Sequence, residues 1–383
     1  MIPFNKPCTI GNELEYIKDA ISLGKLCGNG KYTNKCQSFF EEKYGFRKCL
    51  LTTSCTDALE MCAILLDIQA GDEVIMPSYT FVSTSNAFVL RGAKIVFADS
   101  EPNNPNMDCN EIEKLITPKT KCIVVVHYAG ASCDMEKAAE IAKKHNIFLV
   151  EDAAQAVDNF YINKSGNKIP LGSIGNLAAF SFHETKNIIC GEGGMLVVND
   201  ENFVKRSEII WEKGTNRSAY FRGEIDKYGW VDVGSSFLMS ELTAAYLWAQ
   251  LESIEKIQTR RLEVWNLYNS LLKDVQLKYA CTLQSIPSHS TNNAHAFYMV
   301  CNSTEERGGL IKYLKENDAQ LVFHYLSLHK SVFYSDKHDG RELPNSDRYS
   351  DCLVRLPIYY DITNEQVQKI AEKISEFYAV YSK

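Results

Sequence analysis

The strongest constraint on the fold of this chain is an alternation that begins near Lys48. Short β-rich runs, "KCLLTT", "DEVIMP", "AKIVFAD", "KCIVVVHY" and "IFLVEDAAQ", take turns with helical patterns such as "CTDALEMCAILLDI" and "MEKAAEIAKKHN". The runs are nearly all apolar, as strands covered on both faces should be, and such alternation builds βαβ units on a mostly parallel sheet with helices on both sides. From Thr56 to Asp67, the residues Leu59, Cys62, Ala63 and Leu66 recur at i, i+3, i+4 and i+7. That spacing predicts one buried helical face, and the small hydroxyl residues of "TTSCT" supply its N-cap.

After about Glu241 the pattern changes to a long helical stretch, "ELTAAYLWAQLESIEKIQTRRLEVWNLYNSLLKD", followed by a mixed α/β tail. With 383 residues the chain exceeds what one small core serves. We therefore expect a large domain over 1–245 and a smaller one over 246–383, bridged by the long helix. No internal repeat or low-complexity linker interrupts them. The balance of 41 basic and 48 acidic residues, net −7, argues against a nucleic-acid binder but leaves room for a local basic pocket. The 13 cysteines are scattered through apolar segments without a CxxC pair, which reads as reduced core thiols of a cytoplasmic protein. The first residues lack a signal-peptide pattern and no apolar run reaches membrane-spanning length, so no membrane partner is expected.

In open parallel sheets ligands bind beyond the carboxyl ends of strands, so residues just past strands come first. Three segments qualify. In "TTSCTDALE" a strand runs into a helix whose first N–H groups and dipole suit a phosphate, although the same residues also fit an ordinary N-cap. In "FLVEDAAQA", Glu151, Asp152 and Gln155 follow a strand; a carboxylate there can meet a cationic ligand group or simply cap a helix. In "SFHETKNIICGEGG", Lys186 sits among polar residues and Gly191, Gly193 and Gly194. A buried amine there would have the lowered pKa that reaction with an aldehyde requires, while a surface lysine is the alternative. Together, a phosphate cradle, a strand-end aspartate and a loop lysine are the parts that hold pyridoxal phosphate.

Over nearly its whole length the chain resembles the DegT/StrS sugar-nucleotide aminotransferases. The resemblance is carried by "GKLCGNGKYT", "PSYTFVSTSNAFVLRGAKIVFAD", "VEDAAQA", "SFHETKN", "GEGG", "KGTNRS" and "LMSELTAAYLWAQL". It implies the fold type I architecture of aspartate aminotransferase: a large domain with a mostly parallel sheet and a smaller α+β C-terminal domain. It implies pyridoxal 5'-phosphate as cofactor, with Lys186 as the Schiff-base lysine and Asp152 paired with the pyridine nitrogen. Gln155 would bond the 3-hydroxyl and Phe81 would stack on the ring. Ser181 and the amides of Cys55, Thr56 and Asp57 would hold the phosphate. Ser236, in "GSSFLM", stands where many relatives place an asparagine that reaches the neighbouring subunit's phosphate. A lysine at position 186, where dehydrating relatives carry histidine, implies transamination.

On the substrate side the resemblance implies L-glutamate as amine donor, a dTDP-linked keto-deoxysugar as acceptor, and a homodimer with the active site between subunits. His183 either faces the sugar or orders its own loop. Lys213, Asn216 and Arg217 in "EKGTNRS" suit a diphosphate, or form a solvated loop. In "FHYLSLH", Tyr325 and His329 are candidate sugar or nucleotide contacts; with no carboxylate or thiol nearby, the segment does not read as a metal site. A non-catalytic cofactor or sugar-nucleotide binding regulator is the alternative from another class.

Overall fold

Seven strands form the central sheet of the computed structural model, which describes residues 1–279 and 281–381. In chain order the strands are β1 (Lys48–Thr52), β2 (Glu73–Pro77), β3 (Lys94–Ala98), β4 (Thr120–Val126), β5 (Phe148–Asp152), the hairpin β6 (Phe160–Ile162) and β7 (Lys168–Pro170), β8 (Leu177–Ser181) and β9 (Gly194–Val198). A separate small sheet holds β10 (Thr282–Leu283), β11 (Phe297–Val300) and β12 (Leu353–Leu356). The large sheet runs β1-β9-β8-β5-β4-β2-β3. Only β9 opposes its neighbours, pairing antiparallel with β1 and β8.

The apolar runs divide their side chains between two cores, as the period of two along a strand requires. Ile123 and Val125 of β4 join one cluster with Phe40, Phe180 and Met195. Cys122 and Val124 join the other, with Leu50, Val74 and Leu196. The expected helix spans Cys55–Leu65, and Leu59, Cys62, Ala63 and Leu66 all lie in that second cluster. Both faces of the sheet are therefore covered, and ligands can reach only the strand ends.

The long helical stretch divides at Ser253 into helices Glu241–Glu252 and Ile254–Tyr279. Ser253, at ψ 13°, breaks the run. Ile254 and Ile257 still pack in the first cluster, whereas Val264, Trp265 and Tyr268 enter a third one around the small sheet. The break lets one sequence segment serve two cores. Glu241 accepts hydrogen bonds from the N–H groups of Gly30 (2.9 Å), Tyr32 (2.8 Å) and Thr33 (3.0 Å), filling orphan donors at the start of helix Lys31–Tyr44. A Cβ on Gly30 would lie 2.5 Å from Glu241 Cδ, which accounts for the glycine in "GKLCGNGKYT". Among the described residues all thirteen cysteines are free, Cys27 alone is exposed, and no helix is long and apolar enough to cross a membrane.

Candidate active site

A cavity of about 640 Å³ opens beyond the carboxyl ends of β1, β5 and β8, a volume within the usual range of ligand sites. Ser54 to Thr56 line it after β1, Asp152 and Gln155 at and after the end of β5, and Ser181, His183, Thr185 and Lys186 at and after the end of β8, while His295, His324, Tyr325 and Arg355 come from the C-terminal part of the chain.

Asp152 ends β5 and is buried. Its Oδ2 accepts from the Thr84 hydroxyl at 2.7 Å and its Oδ1 from the Ala154 N–H at 3.2 Å. Burial raises its pKa above the usual carboxylate range, against the opposing pull of Thr84, Ala154 and the Lys186 amine. Glu151, one residue earlier, points to the other face by strand alternation and does a different job. Its carboxylate accepts from the N–H groups of Gly172 (2.7 Å), Ile174 (2.8 Å) and Gly175 (2.6 Å), and from His127 Nε2 at 2.9 Å. His127 Nδ1 accepts from the Cys133 N–H, so the proton is assigned to Nε2. Burial alone would push the Glu151 carboxyl up, but His127 and these amides leave it below the ordinary value.

Lys186 lies in the loop between β8 and β9, its N–H bonded to the His183 carbonyl at 2.9 Å. Burial holds its amine below the ordinary lysine range, assisted by the Arg355 charge and opposed by Cys55 and Asp152. The next residue fixes the loop: Asn187 donates to Gln258 Oε1 (2.8 Å) and the Asn293 carbonyl (2.7 Å), and its Oδ1 accepts from His295 Nδ1 (2.9 Å). Gln155 accepts from the Ala129 N–H at 2.7 Å and donates to the Tyr325 hydroxyl at 2.8 Å. Tyr325 stacks on His324, whose Nδ1 meets the Tyr128 hydroxyl at 2.7 Å. Burial first, and the charges of Arg355 and Lys186 next, hold His324 well below the usual histidine range.

At the start of helix Cys55–Leu65, Ser54 Oγ caps the Asp57 N–H at 3.0 Å. Of the three amides expected to hold a phosphate, the Asp57 donor is thus taken by the protein, while those of Cys55 and Thr56 lie in the first turn without an intrahelical acceptor. Two of the glycines after Lys186 are required by close packing. A Cβ on Gly194 would lie 2.4 Å from Cys55 N and from Ser54 C, and one on Gly193 2.4 Å from Cys190 Sγ. They let β9 pass against the helix start.

Phe81 and His183 also line the cavity, Phe81 half-exposed and His183 bonded to Thr185 Oγ1 at 2.9 Å. Ser236, Lys213, Asn216, Arg217 and His329 do not. Ser236 is exposed in a bridge to Glu212. Asn216 accepts from the Gly229 N–H, and Arg217 lies over the Phe221 ring with Glu212 at 3.8 Å. His329 is buried with Nδ1 2.7 Å from Ser78 Oγ, and the carboxylate its own segment lacks is supplied by Asp347, 3.6 Å from Nε2. Phe4, His295 and Arg355 line the cavity without having been singled out from sequence. For Arg355 a signal existed: it is the one charged residue in the apolar run "CLVRLPIYY".

The profile of the DegT/DnrJ/EryC1/StrS aminotransferase family matches residues 7–375. The chain belongs to this family. It is a pyridoxal-phosphate-dependent sugar aminotransferase with the fold type I architecture. It is 30% identical to the GDP-perosamine synthase of Escherichia coli O157:H7 over 99% of both chains. Among solved structures it resembles the aminotransferase TlmJ of Streptoalloteichus hindustanus (24% identity, 100% of both chains, TM-score 0.90). It also resembles PseC of Helicobacter pylori, an aminotransferase of pseudoaminic acid biosynthesis (23% identity, 98% of both chains, TM-score 0.89). The aminotransferase's cavity fits the family cofactor chemically, presenting a desolvated amine, a buried carboxylate and open helix-start amides to one space.

Proposed function

We propose that this enzyme moves the amine of L-glutamate to the 4-keto group of dTDP-4-keto-6-deoxy-D-glucose, giving dTDP-4-amino-4,6-dideoxy-D-galactose, and acts in enterobacterial common antigen synthesis. The observation that carries the amine-transfer chemistry is the partly desolvated Lys186 amine facing the same cavity as the buried Asp152 carboxylate. The acceptor assignment is supported by "GKLCG", "SFHETKN" and "EKGTNRS", which resemble the corresponding segments of dTDP-4-amino-4,6-dideoxygalactose transaminases. A GDP-linked acceptor is the competing reading, favoured by the similarity to GDP-perosamine synthase.

Pyridoxal phosphate, when bound, supplies an aldehyde that condenses with amines and a protonated ring that accepts the electron pair left when a C–H bond breaks. Lys186 would be its covalent partner and Asp152 the partner of its ring nitrogen. Gln155 would bond its 3-hydroxyl and Phe81 would cover its ring. Ser181 and the Cys55 and Thr56 amides would hold its phosphate. Because burial lowers the Lys186 pKa, a larger share of that amine is unprotonated near neutral pH, as attack on an aldehyde demands. The same amine would serve as the base that takes the proton from the donor's Cα. Asp152 would keep the ring nitrogen protonated by ion pairing. Arg217 lies over the ring of the exposed Phe221, and Asn216 accepts from the N–H of Gly229, which sits between the exposed Tyr228 and Trp230. An apolar surface of that kind supports a homodimer in which this segment approaches the partner's cleft.

The purified protein with pyridoxal phosphate, L-glutamate and dTDP-4-keto-6-deoxyglucose tests the reading, with the product determined by NMR. An axial amine at C4 is expected, and Lys186→Ala should abolish its formation. An equatorial amine, or one at C3, overturns the product assignment. Turnover of a GDP-linked keto sugar in place of the dTDP-linked one overturns the acceptor. A protein whose cofactor absorbance ignores glutamate is not a glutamate transaminase.

A further inference from the structure

Within "FHYLSLH", His324 and Tyr325 line the cavity, whereas His329 is buried outside it. It sits in the single turn Leu328–Lys330, where the chain passes from the bridge between Val322 and Arg355 to the edge of the large sheet. Beyond that turn the Tyr334 hydroxyl accepts from the Ile95 N–H at 2.6 Å and Arg341 donates to the Phe97 carbonyl at 2.8 Å, so the segment straps the edge strand β3. Leu328, Tyr334 and Leu343 pack into the second cluster beneath it.

The strap is fastened at Ser78, just past β2 and fully buried. The Ser78 carbonyl accepts from the Leu328 N–H at 3.0 Å. Its Oγ accepts from the His329 N–H at 3.3 Å and lies 2.7 Å from His329 Nδ1. Among the described residues no other acceptor is bonded to that hydroxyl, so its proton is assigned to Nδ1 and His329 is the Nε2–H tautomer. Burial holds His329 below the usual histidine range, against the pull of Asp347 and Asp99 and with the help of His338 and Lys330. Asp347 Oδ1 stands 3.6 Å from Nε2, while Lys330 holds Asp347 Oδ2 at 2.6 Å. Nε2 is buried without a hydrogen-bond partner, which leaves the Ser78 bond as the only one the ring makes among the described residues.

Both ends of this joint lead into the cavity wall. Ser78 is followed by Tyr79, Thr80 and Phe81, and Thr80 Oγ1 lies 2.9 Å from the Thr84 hydroxyl that bonds Asp152. Tyr325, a turn before His329, takes the Gln155 amide, and its ring centre stands 5.7 Å from that of Tyr79 and 6.0 Å from that of Phe81. We infer that His329 is a positioning residue for amine transfer: by accepting at Nδ1 it pins the strap to Ser78, and the pinned pair of segments sets Phe81, Tyr325 and the Gln155 amide in the cavity wall. Without the imidazole the buried Ser78 hydroxyl has no acceptor, and a wall that shifts to relieve it carries those side chains along. The inference rests on the reading in which Phe81 and Gln155 meet the cofactor.

The test compares wild type, His329→Leu, His329→Asn, Ser78→Ala and the double variant Ser78→Ala with His329→Leu as holoenzymes, with urea unfolding to show that each is folded. An asparagine amide oxygen can stand in for Nδ1, and leucine cannot. Three quantities are read: amide hydrogen exchange across residues 78–84 and 325–331, the visible circular dichroism of the bound cofactor, and the rate of the glutamate half-reaction. His329→Leu and Ser78→Ala should each speed exchange in both segments, alter the dichroic band and slow the half-reaction by about 10- to 100-fold. His329→Asn should restore most of all three, and the double variant should be no worse than the more impaired single one. Unmoved dichroism and rate in the single variants overturn the inference, even where the urea midpoint falls, because a purely structural joint gives that result. Losses that add in the double variant overturn it too, as does a His329→Asn enzyme as impaired as His329→Leu. Ser78→Ala deletes one atom of the same bond and decides the matter should His329→Leu fail to fold. Phe81→Leu separates the underlying reading: if it leaves the dichroic band in place while Ser78→Ala shifts it, the joint stands and the placing of Phe81 on the cofactor ring falls.

Discussion

Thr84→Val isolates what the environment of Asp152 contributes to the reaction. The Thr84 hydroxyl donates to Asp152 Oδ2 at 2.7 Å, and both residues are buried. A hydrogen bond to a charged acceptor contributes about 1.5–3 kcal/mol. At about 1.36 kcal/mol per pKa unit, its loss should raise the Asp152 carboxyl by about one to two units beyond the rise that burial already imposes. The sign follows from the charged form being the useful one: below its pKa the protonated acid cannot pair with a protonated ring nitrogen. The acid limb of the glutamate half-reaction, followed by cofactor absorbance across pH, should therefore move upward by about one to two units, and rates well above the limb should return toward wild type. Thr84→Ser keeps a hydroxyl and should leave the limb in place. A Thr84→Val profile lowered equally at all pH values, with its acid limb unmoved, would refute the reasoning, because steric damage alone produces that pattern.

Two further perturbations test the frame around the site. Glu151→Gln replaces a carboxylate that accepts three backbone N–H groups and the His127 proton, and should cost about 3–5 kcal/mol in urea denaturation at neutral pH. Because the folded pKa of Glu151 is lowered, its stabilisation is complete above the ordinary glutamate value of about 4.3 and is lost as pH falls through the folded value, so the deficit should shrink only under acid conditions. A deficit below about 1 kcal/mol at pH 7 contradicts the network. Gly194→Ala sets a Cβ 2.4 Å from Cys55 N; either β9 or the helix start must move, costing about 1–3 kcal/mol and weakening pyridoxal phosphate binding in a fluorescence titration. Unchanged stability and affinity would show that the helix start is free to yield.

Much of the large sheet was legible because its signals are local. Near-continuous apolar runs and a helix with Leu59, Cys62, Ala63 and Leu66 on one face announce themselves within a dozen residues, and both line the cores on the two faces of the sheet. The split of the C-terminal helical stretch at Ser253 was not legible, since both halves carry helical patterns and the break answers to two separate cores. The same limit applied at the cavity. Lys186, Asp152 and Gln155 lie at or a few residues past strand ends and stand out by position, whereas Phe4, His295 and Arg355 are separated from them by more than a hundred residues in sequence and meet them only when both ends of the chain pack back.

Residue chemistry and strand-end position were enough to read from sequence an α/β chain with the parts that hold pyridoxal phosphate, and the resemblance of its motifs supplied the aminotransferase family. Only the tertiary structure decided that Glu151 and Asp152, adjacent in sequence, have opposite occupations, one tying a loop and the other facing the cavity. Only folding, too, brought Arg355 to the same cavity as Lys186, with no carboxylate partner among the described residues. The physical reason is the same in both cases: a backbone pattern states which residues are near a strand end, but burial, partner and charge at that end are set by segments that arrive from elsewhere in the chain.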